Sequence, residues 1–456
     1  MAPVALTARA LVLLVASSLL AACSAAVEDT GDTDEELTPA TVSAIFCAPK
    51  GDGGDDLTIE NAMLDMLAHT PSGAIVRVAM YQWNRVNVAD AFVAASKRGV
   101  DVRIVLDNDN KTADGTSYNV AVKTLVAGLP KDAVTLCSRG DGACIGNGIN
   151  HNKFLLFSSL DDGSKSVVVQ SSSNFTGGML GEHNNAVIVK NDPALFQGYV
   201  SYFGDLRHQQ ENLSYYRTIQ GARARTYVYP RAQGDTVVSV LDNVRCQKGQ
   251  SKIRVAMAFF TEARGEIADR LVQLQGKGCD VGVAMREANA GPVDASIIDR
   301  LRKGGVDVGL YPKASGNQIH SKYLLIDSLY DDGNGAAKRK LVFTGSHNYT
   351  GPALRANDET MMRVDDAGVF LAFSNNWKTI RVGCPQSSPS PSPKGGGVPI
   401  TPGTCTHDVC TAGDKLGQQC DACTMAVCAK DSYCCDTYWG LSCFADVEAL
   451  CGKKCP

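Results

Sequence analysis

The chain has little excess charge of either sign, no long apolar run and few histidines, and each shortage excludes something. Lysine and arginine number 44 against 48 aspartate and glutamate, a formal net charge of −4. A processive nucleic-acid enzyme would more often carry a strong basic excess, although a net charge can hide a basic groove. The apolar stretch Leu11 to Val15 is too short for a membrane-spanning helix, which needs ~20 apolar residues, and no later segment could span. Of seven histidines, His69, His183, His208, His347 and His407 show no metal-ligand spacing. Neither a metal nor another cofactor is expected.

The remaining two histidines stand in a repeated pattern. His320-Ser321-Lys322 is followed by Asp327 and then by Gly345-Ser346-His347-Asn348. In weaker form, His151-Asn152-Lys153 is followed by Ser171-Ser172-Ser173-Asn174. Residues two apart in a strand share a face, so His320 and Lys322 point the same way. Tyr323-Leu324-Leu325-Ile326 continues as a buried strand, Asp331 to Gly335 turn, and Leu341-Val342-Phe343 returns to deliver Ser346 and Asn348. The first copy repeats this plan with Phe154 to Phe157, a turn at Asp161-Asp162-Gly163, then Val167-Val168-Val169. Each hairpin brings an imidazole, an ammonium and a carboxamide to one spot. An imidazole can attack phosphorus or protonate a leaving oxygen, while Lys and Asn hold non-bridging oxygens.

A single His-x-Lys in a strand is common and means little. Two copies inside a duplicated chain mean more. Arg77-Val78-Ala79-Met80 reappears as Arg254-Val255-Ala256-Met257, and Gly99-Val100-Asp101-Val102 as Gly278-Cys279-Asp280-Val281. Each half reads strand, amphipathic helix, strand: Ile75 to Tyr81, Val88 to Lys97 and Val102 to Leu106, then Ile253 to Phe259, Glu266 to Gln275 and Val281 to Met285. That order implies α/β layering with a largely parallel core. Leu195 to Asn212 reads as a helix leading toward the second half.

The pattern resembles the phospholipase D superfamily, whose signature is H-x-K-x4-D followed by G-S-x-N, over about residues 45–384. The second copy matches in full, whereas the first has Ser158 in place of the Asp and Ser171 in place of the Gly. The resemblance implies two pseudo-symmetric α/β/α sandwich halves, 45–215 and 216–384, sharing one active site. It implies catalytic roles for His151, Lys153, Asn174, His320, Lys322, Asp327 and Asn348, with Ser172, Ser346 and the two lysines binding substrate. The family often places a Glu about eleven residues after the motif Asn to orient the catalytic His. Glu359 stands there in the second copy, and Asn185 in the first. One His would form a phosphohistidine while the other protonates the departing alcohol. Family habit favours the N-terminal His as nucleophile; the local carboxylate, expected on His320, argues the other way. His347, the x of G-S-x-N, and His183, in the matching loop, border the expected pocket.

The N-terminus, with Arg9 ahead of the apolar stretch and Leu20-Ala21-Ala22-Cys23 at its end, resembles a bacterial lipoprotein signal. Ordinary secretory cleavage is the alternative. A lipidated Cys23 would hold the protein at a membrane surface, and the acidic segment 24–44 would serve as a flexible tether. Without Cys23, sixteen cysteines remain, six of them before residue 385 and ten in 405–456. Even subtotals fit disulfides in an oxidising compartment. Cys137 with Cys144, Cys246 with Cys279, and Cys47 with Cys384 are the expected pairs of the body. Segment 385–404 is a Pro, Ser and Gly linker, and 405–456 a separate module too small to fold without staples. Its Cys420-Asp421-Ala422-Cys423 has zinc as a rival reading, and its partner is unknown.

These readings favour a phospholipase D-type hydrolase of phospholipid headgroups. An extracellular nuclease using the same two histidines is the alternative, and a catalytically inactive phosphate-binding relative is a third.

Overall fold

A computed structural model of the protein describes residues 38–48, 55–111, 117–288, 290–312, 318–333, 335–384 and most of 407–455. The signal segment, most of the tether and the linker lie outside the described residues. The chain divides into two compact units, Met1–Gln386 and Ser387–Pro456.

The first half of the larger unit runs β1 (Thr41–Cys47), α1 (Thr58–Ala68), β2 (Ile75–Met80), α2 (Val86–Lys97), β3 (Asp101–Leu106), α3 (Val120–Gly128), β4 (Val134–Leu136), β5 (Lys153–Ser159), β6 (Lys165–Ser171), β7 (Asn184–Lys190) and α4 (Pro193–His208). The second half continues with β8 (Arg217–Gln220), β9 (Ala224–Tyr229), α5 (Thr236–Asp242), β10 (Val244–Arg245), β11 (Lys252–Met257), α6 (Gly265–Gly276), β12 (Asp280–Arg286), α7 (Ala295–Lys303), β13 (Asp307–Tyr311), β14 (Lys322–Asp331), β15 (Ala336–Gly345), α8 (Gly351–Arg355), β16 (Glu359–Asp365) and α9 (Ala367–Val382). Strand order is β1-β7-β6-β5-β2-β3-β4 in one sheet and β8-β9-β16-β15-β14-β11-β12-β13 in the other. The orders superimpose, β5 on β14 and β7 on β16, so the duplication read from sequence is a duplication of topology.

The sheets are mixed rather than largely parallel. β2, β3 and β4 run parallel, as do β11, β12 and β13. The β5–β6 and β14–β15 hairpins join them antiparallel. Short hairpin turns force that direction, while helical crossovers allow the parallel one. Three apolar layers result. Helices α1–α3 cover the outer face of the first sheet, and α5–α7 that of the second. Between the sheets lie α4 and α9, with Tyr199, Tyr202, Phe373 and Trp377 packed on Phe154, Leu325 and Val342. The strand β1 begins at Thr41, inside the segment read as tether, and pairs with β7 from Thr41↔Lys190 to Cys47↔Asn184. Its alternating Val42, Ala44 and Phe46 pack on the central layer, which gives the segment a reason to be ordered.

Cys137–Cys144 and Cys246–Cys279 are disulfides as expected. The Cys47–Cys384 pairing is overturned, because both are free and buried thiols. Cys47 belongs to the outer layer under α1, where its sulfur accepts from Ile59 N–H, whereas Cys384 ends α9 in the central layer. The first sheet separates them. In the tail, Cys410–Cys455, Cys423–Cys451, Cys428–Cys435 and Cys434–Cys443 surround a small core of Val409, Leu416, Val427, Trp439 and Val447. Cys420 is also disulfide-bonded, which removes the C-x-x-C from zinc binding. Each staple of this kind adds ~2–4 kcal/mol by restricting the unfolded chain. The disulfides fit an oxidising compartment, and among the described residues no helix is long and apolar enough to cross a membrane.

Alkylation of the denatured, unreduced protein should label Cys47 and Cys384, and peptide mapping should recover Cys137 joined to Cys144 and Cys246 to Cys279. A recovered Cys47–Cys384 peptide would contradict this layering.

Candidate active site

Each His-x-Lys motif lies at the start of its hairpin, with Lys153 opposite Met80 and Lys322 opposite Met257 in register. There the central layer meets the two-fold relation between halves. The main chain is exchanged across it. His151 N–H donates to Asp358 O at 3.0 Å and Asp358 N–H to Ile149 O at 2.9 Å. In the mirrored place, His320 N–H donates to His183 O at 3.0 Å and His183 N–H to Gln318 O at 2.9 Å. Each motif is therefore stitched to the residue just ahead of the other half's β7 or β16.

This exchange decides which side chain holds which imidazole. His151 Nδ1 lies 2.9 Å from both oxygens of Glu359. His320 Nδ1 lies 3.0 Å from Asn184 Oδ1. The carboxylate therefore serves the histidine of the opposite half, which reverses the expectation that Glu359 orients His320. The position equivalent to Glu359 is Asn184, not Asn185. Ser346 Oγ donates to Glu359 at 2.5 Å and accepts from Thr360 N–H at 3.1 Å. Ser172 Oγ likewise donates to Asn184 at 2.9 Å and accepts from Asn185 N–H. The first copy is one residue shorter here, which misaligned the count of eleven.

Asn184 Nδ2 donates to Met179 O at 3.1 Å, so its Oδ1 faces His320. Carboxylate and amide oxygen both accept, which places a proton on each Nδ1 and leaves each Nε2 as the unshielded atom. Lys153 Nζ donates to His151 O at 2.8 Å and Lys322 Nζ to His320 O at 2.5 Å. Asn174 and Asn348 are nearly buried, each with an amide oxygen lacking a partner. His151 and His320 are each 6% exposed, so the site is sunk rather than spread over a surface.

Its electrostatics are those of a buried cationic cluster. Burial, then the charges of Lys153 and Lys322, holds the His151 imidazole well below its usual range. Burial, then the same two lysines and Arg286, does so for His320. Burial lowers Lys153 to about 7, and burial with the neighbouring Lys153 and Arg286 drives Lys322 well below the ordinary ammonium range. Burial raises Glu359 to about 8 against the pull of Lys153. A phosphate monoanion entering the site would oppose the lowering of the imidazoles and lysines and would push Glu359 higher still, because a negative charge favours the protonated form of each.

Other expected residues lie elsewhere or do something else. Asp327 is not with the cluster. It faces Lys338 at 2.9 Å and Lys340 at 3.7 Å, five positions and ~16 Å along β14 from Lys322. The hydroxyls of Ser172 and Ser346 donate to Asn184 and Glu359. His347 stacks on Tyr229 with centroids 4.1 Å apart, and its Nε2 takes a hydrogen bond from Arg264 at 3.1 Å. His183 is held by the Tyr311 hydroxyl at 3.2 Å.

Three groups at the site were missed. Tyr81 lies 5.2 Å from the His151 ring and under Lys153. Arg286, at the end of β12, pairs with Glu182 of the other half at 3.1 Å and donates to Ile319 O at 2.7 Å. Asp358 is the third. The duplication carried a usable signal for Arg286, whose equivalent in the first half is Asp107. Among the described residues no group of His, Cys, Asp or Glu could hold a metal ion.

Residues 65–207 and again 245–380 match the family described as cardiolipin synthase, PLD-like domain. The chain belongs to this phospholipase D-like family. Residues 403–455 match a domain of unknown function (DUF8252). No curated protein matches the chain. Among solved structures, phosphatidylserine synthase from Haemophilus influenzae Rd KW20 is similar at a TM-score of 0.52 and 11% identity, over 74% of this chain and 85% of that one. Yeast tyrosyl-DNA phosphodiesterase gives 0.43 and 11%, over 71% and 89%. Nuc from Salmonella typhimurium, a phospholipase D family member, gives 0.29 and 23%, over 38% and 96%. The first of these likenesses shows the fold alone.

Sulfate, whose charge is constant near neutrality, should bind this site with a pH dependence set by the lysines. Above about pH 7 Lys153 loses its proton and must regain it on binding. Affinity should weaken above that point by up to about tenfold per pH unit. Calorimetric titration from pH 6 to 9 measures this, and a flat profile throughout would remove Lys153 from the anion site.

Proposed function

We propose that the protein is a phospholipase D-type phosphodiesterase that hydrolyses phospholipid headgroups through a phosphohistidine on His151. The observation that carries the assignment of roles is the 2.9 Å contact between His151 Nδ1 and Glu359. An imidazole that bonds to phosphorus becomes cationic, and an adjacent carboxylate stabilises that cation. His320, whose Nδ1 meets only a neutral amide, gains less help in holding a proton at Nε2. It is thus the better donor to a departing alkoxide.

In the proposed reaction, Lys153, Lys322, Asn174 and Asn348 hold the non-bridging oxygens. The His151 Nε2 lone pair attacks phosphorus, and the bond to the headgroup oxygen breaks as His320 Nε2–H protonates it. His320, now neutral, takes a proton from water, whose oxygen attacks phosphorus and displaces His151. The cycle ends with both imidazoles restored. Positioning and fixed charge supply most of the acceleration.

The lipid reading is supported by the sunken site, which suits a phosphate carried on a mobile headgroup, and by a net charge of −4. The export signal and lipid anchor read from residues 1–23 would place the chain at a membrane, where such a substrate is found.

The roles separate with an activated substrate. A p-nitrophenyl phosphodiester has a leaving group that needs no proton. His320→Ala should therefore still release one burst of p-nitrophenol and trap phosphate on His151, whereas His151→Ala should release none. Burst kinetics with mass spectrometry of the labelled peptide reads this, and label on His320 would reverse the assignment. Lys153→Ala and Lys322→Ala should each cost at least ~1.5–3 kcal/mol in kcat/KM, the worth of a hydrogen bond to a charged group. Headgroup release from choline- or ethanolamine-headed lipid is expected; nicking of plasmid DNA without headgroup release would replace the lipid reading with the nuclease.

A further inference from the structure

The loop between β4 and β5, residues 137–150, ties the first half to the second. Its N–H groups converge on one carboxylate. Cys144 donates to Asp358 at 2.6 Å, Ile145 at 3.2 Å and Gly146 at 2.7 Å. Asn147 and Gly148 N–H both reach Ala356 O at 2.9 Å, and Ile149 N–H reaches Asn357 Oδ1 at 3.2 Å. Six consecutive main-chain donors of the first half thus grip residues 356–358 of the second. Asp358 is fully buried, and next to it in the chain is Glu359.

Two features hold the loop to this shape. The Cys137–Cys144 disulfide closes it with both cysteines fully buried. Glycines stand where the chains touch: a Cβ on Gly146 would lie 1.9 Å from Ala356 O, and one on Gly148 2.3 Å from Asn357 Oδ1. Neither contact leaves room for a side chain. Asn357 also donates to Glu359 Oε1 at 3.3 Å, so the loop reaches the carboxylate through the main chain and through one side chain.

The other half has no such grip among the described residues. Asp358 is replaced there by His183, which interacts through its ring with Tyr311.

We propose that the disulfide-closed loop and Asp358 form a positioning device that sets Glu359 on His151, controlling the nucleophile without touching substrate. This rests on the reading of His151 as nucleophile. A carboxylate with no mobile water around it must be aimed by its backbone, and a displacement of ~1 Å can cost about 100-fold in rate.

The full-length chain tests this with Asp358→Asn, with Cys137→Ser/Cys144→Ser, and with His151→Ala as reference. Asp358→Asn should lower kcat roughly 10–100-fold, the range for losing a supporting partner of a functional group, with KM unchanged. Because a carboxylate raises the pKa of a neighbouring imidazole, the acidic limb of the pH–rate profile should move to lower pH. The double serine variant should do the same, and if it fails to fold by circular dichroism, Asp358→Asn alone decides. A fall in activity with an unshifted pH profile would make the loop a purely structural feature and overturn the proposal. So would wild-type kinetics in Asp358→Asn while His151→Ala is inactive. Full turnover by His151→Ala would instead overturn the reading beneath it.

Discussion

The exchange of main-chain hydrogen bonds between the halves is the constraint on which the site depends. Each half supplies a His-x-Lys hairpin but not the residue that orients its own imidazole. His151 N–H on Asp358 O and His320 N–H on His183 O fix the hairpins against the opposite strands, and the Nδ1 partners follow at the next residue. Backbone bonds of this kind hold positions to a fraction of an ångström, which side chains alone do not. The central layer of α4 and α9 packs against both sheets and keeps the strands in place from behind.

On this symmetric frame the two halves have diverged at four related positions. Glu359 stands against Asn184, Asp358 against His183, Asn357 against Glu182, and Arg286 against Asp107. Around His151 the partners are carboxylates, with Asp107 also accepting from Asn150 N–H at 2.8 Å. Around His320 they are an amide and a guanidinium paired with Glu182. A two-step displacement asks opposite things of its two imidazoles, one to form a cation and the other to give up a proton. In the proposed reaction, divergence in charge at equivalent positions would supply that difference without disturbing the scaffold.

Much of this was legible in sequence because it is local. The hairpins, the shared face of His and Lys, and the strand–helix–strand order follow from periods of two and 3.6. The Cys137–Cys144 pair is seven residues apart and closes one loop. What failed was either non-local or dependent on register. Spacing within one copy could not show that Glu359 crosses to His151, since the partner is chosen by the pairing of halves. Asn184 was missed by one residue because the first copy is shorter between Ser172 and β7. Asp327 fits a family spacing but, on a strand, five residues carry it to the far end and into ion pairs with Lys338 and Lys340. Cys47 and Cys384 fitted an even count, which is satisfied equally well by two thiols in different layers.

The cluster also explains its own burial. Two ammonium groups, a guanidinium and two carboxylates withdrawn from water would be unstable if each faced its charge alone. Lys153 and Lys322 give one hydrogen bond each to a carbonyl of their own motif and repel one another. Glu359 and Glu182 offset that repulsion only in part, which leaves a deficit of negative charge between the lysines. A phosphodiester monoanion, with one charge and two non-bridging oxygens between the lysines, matches that deficit in sign and in hydrogen-bonding capacity. Its binding raises the imidazole that must remain protonated and recharges the lysines together. In the proposed reaction, substrate entry would thus set the protonation state that the first chemical step requires.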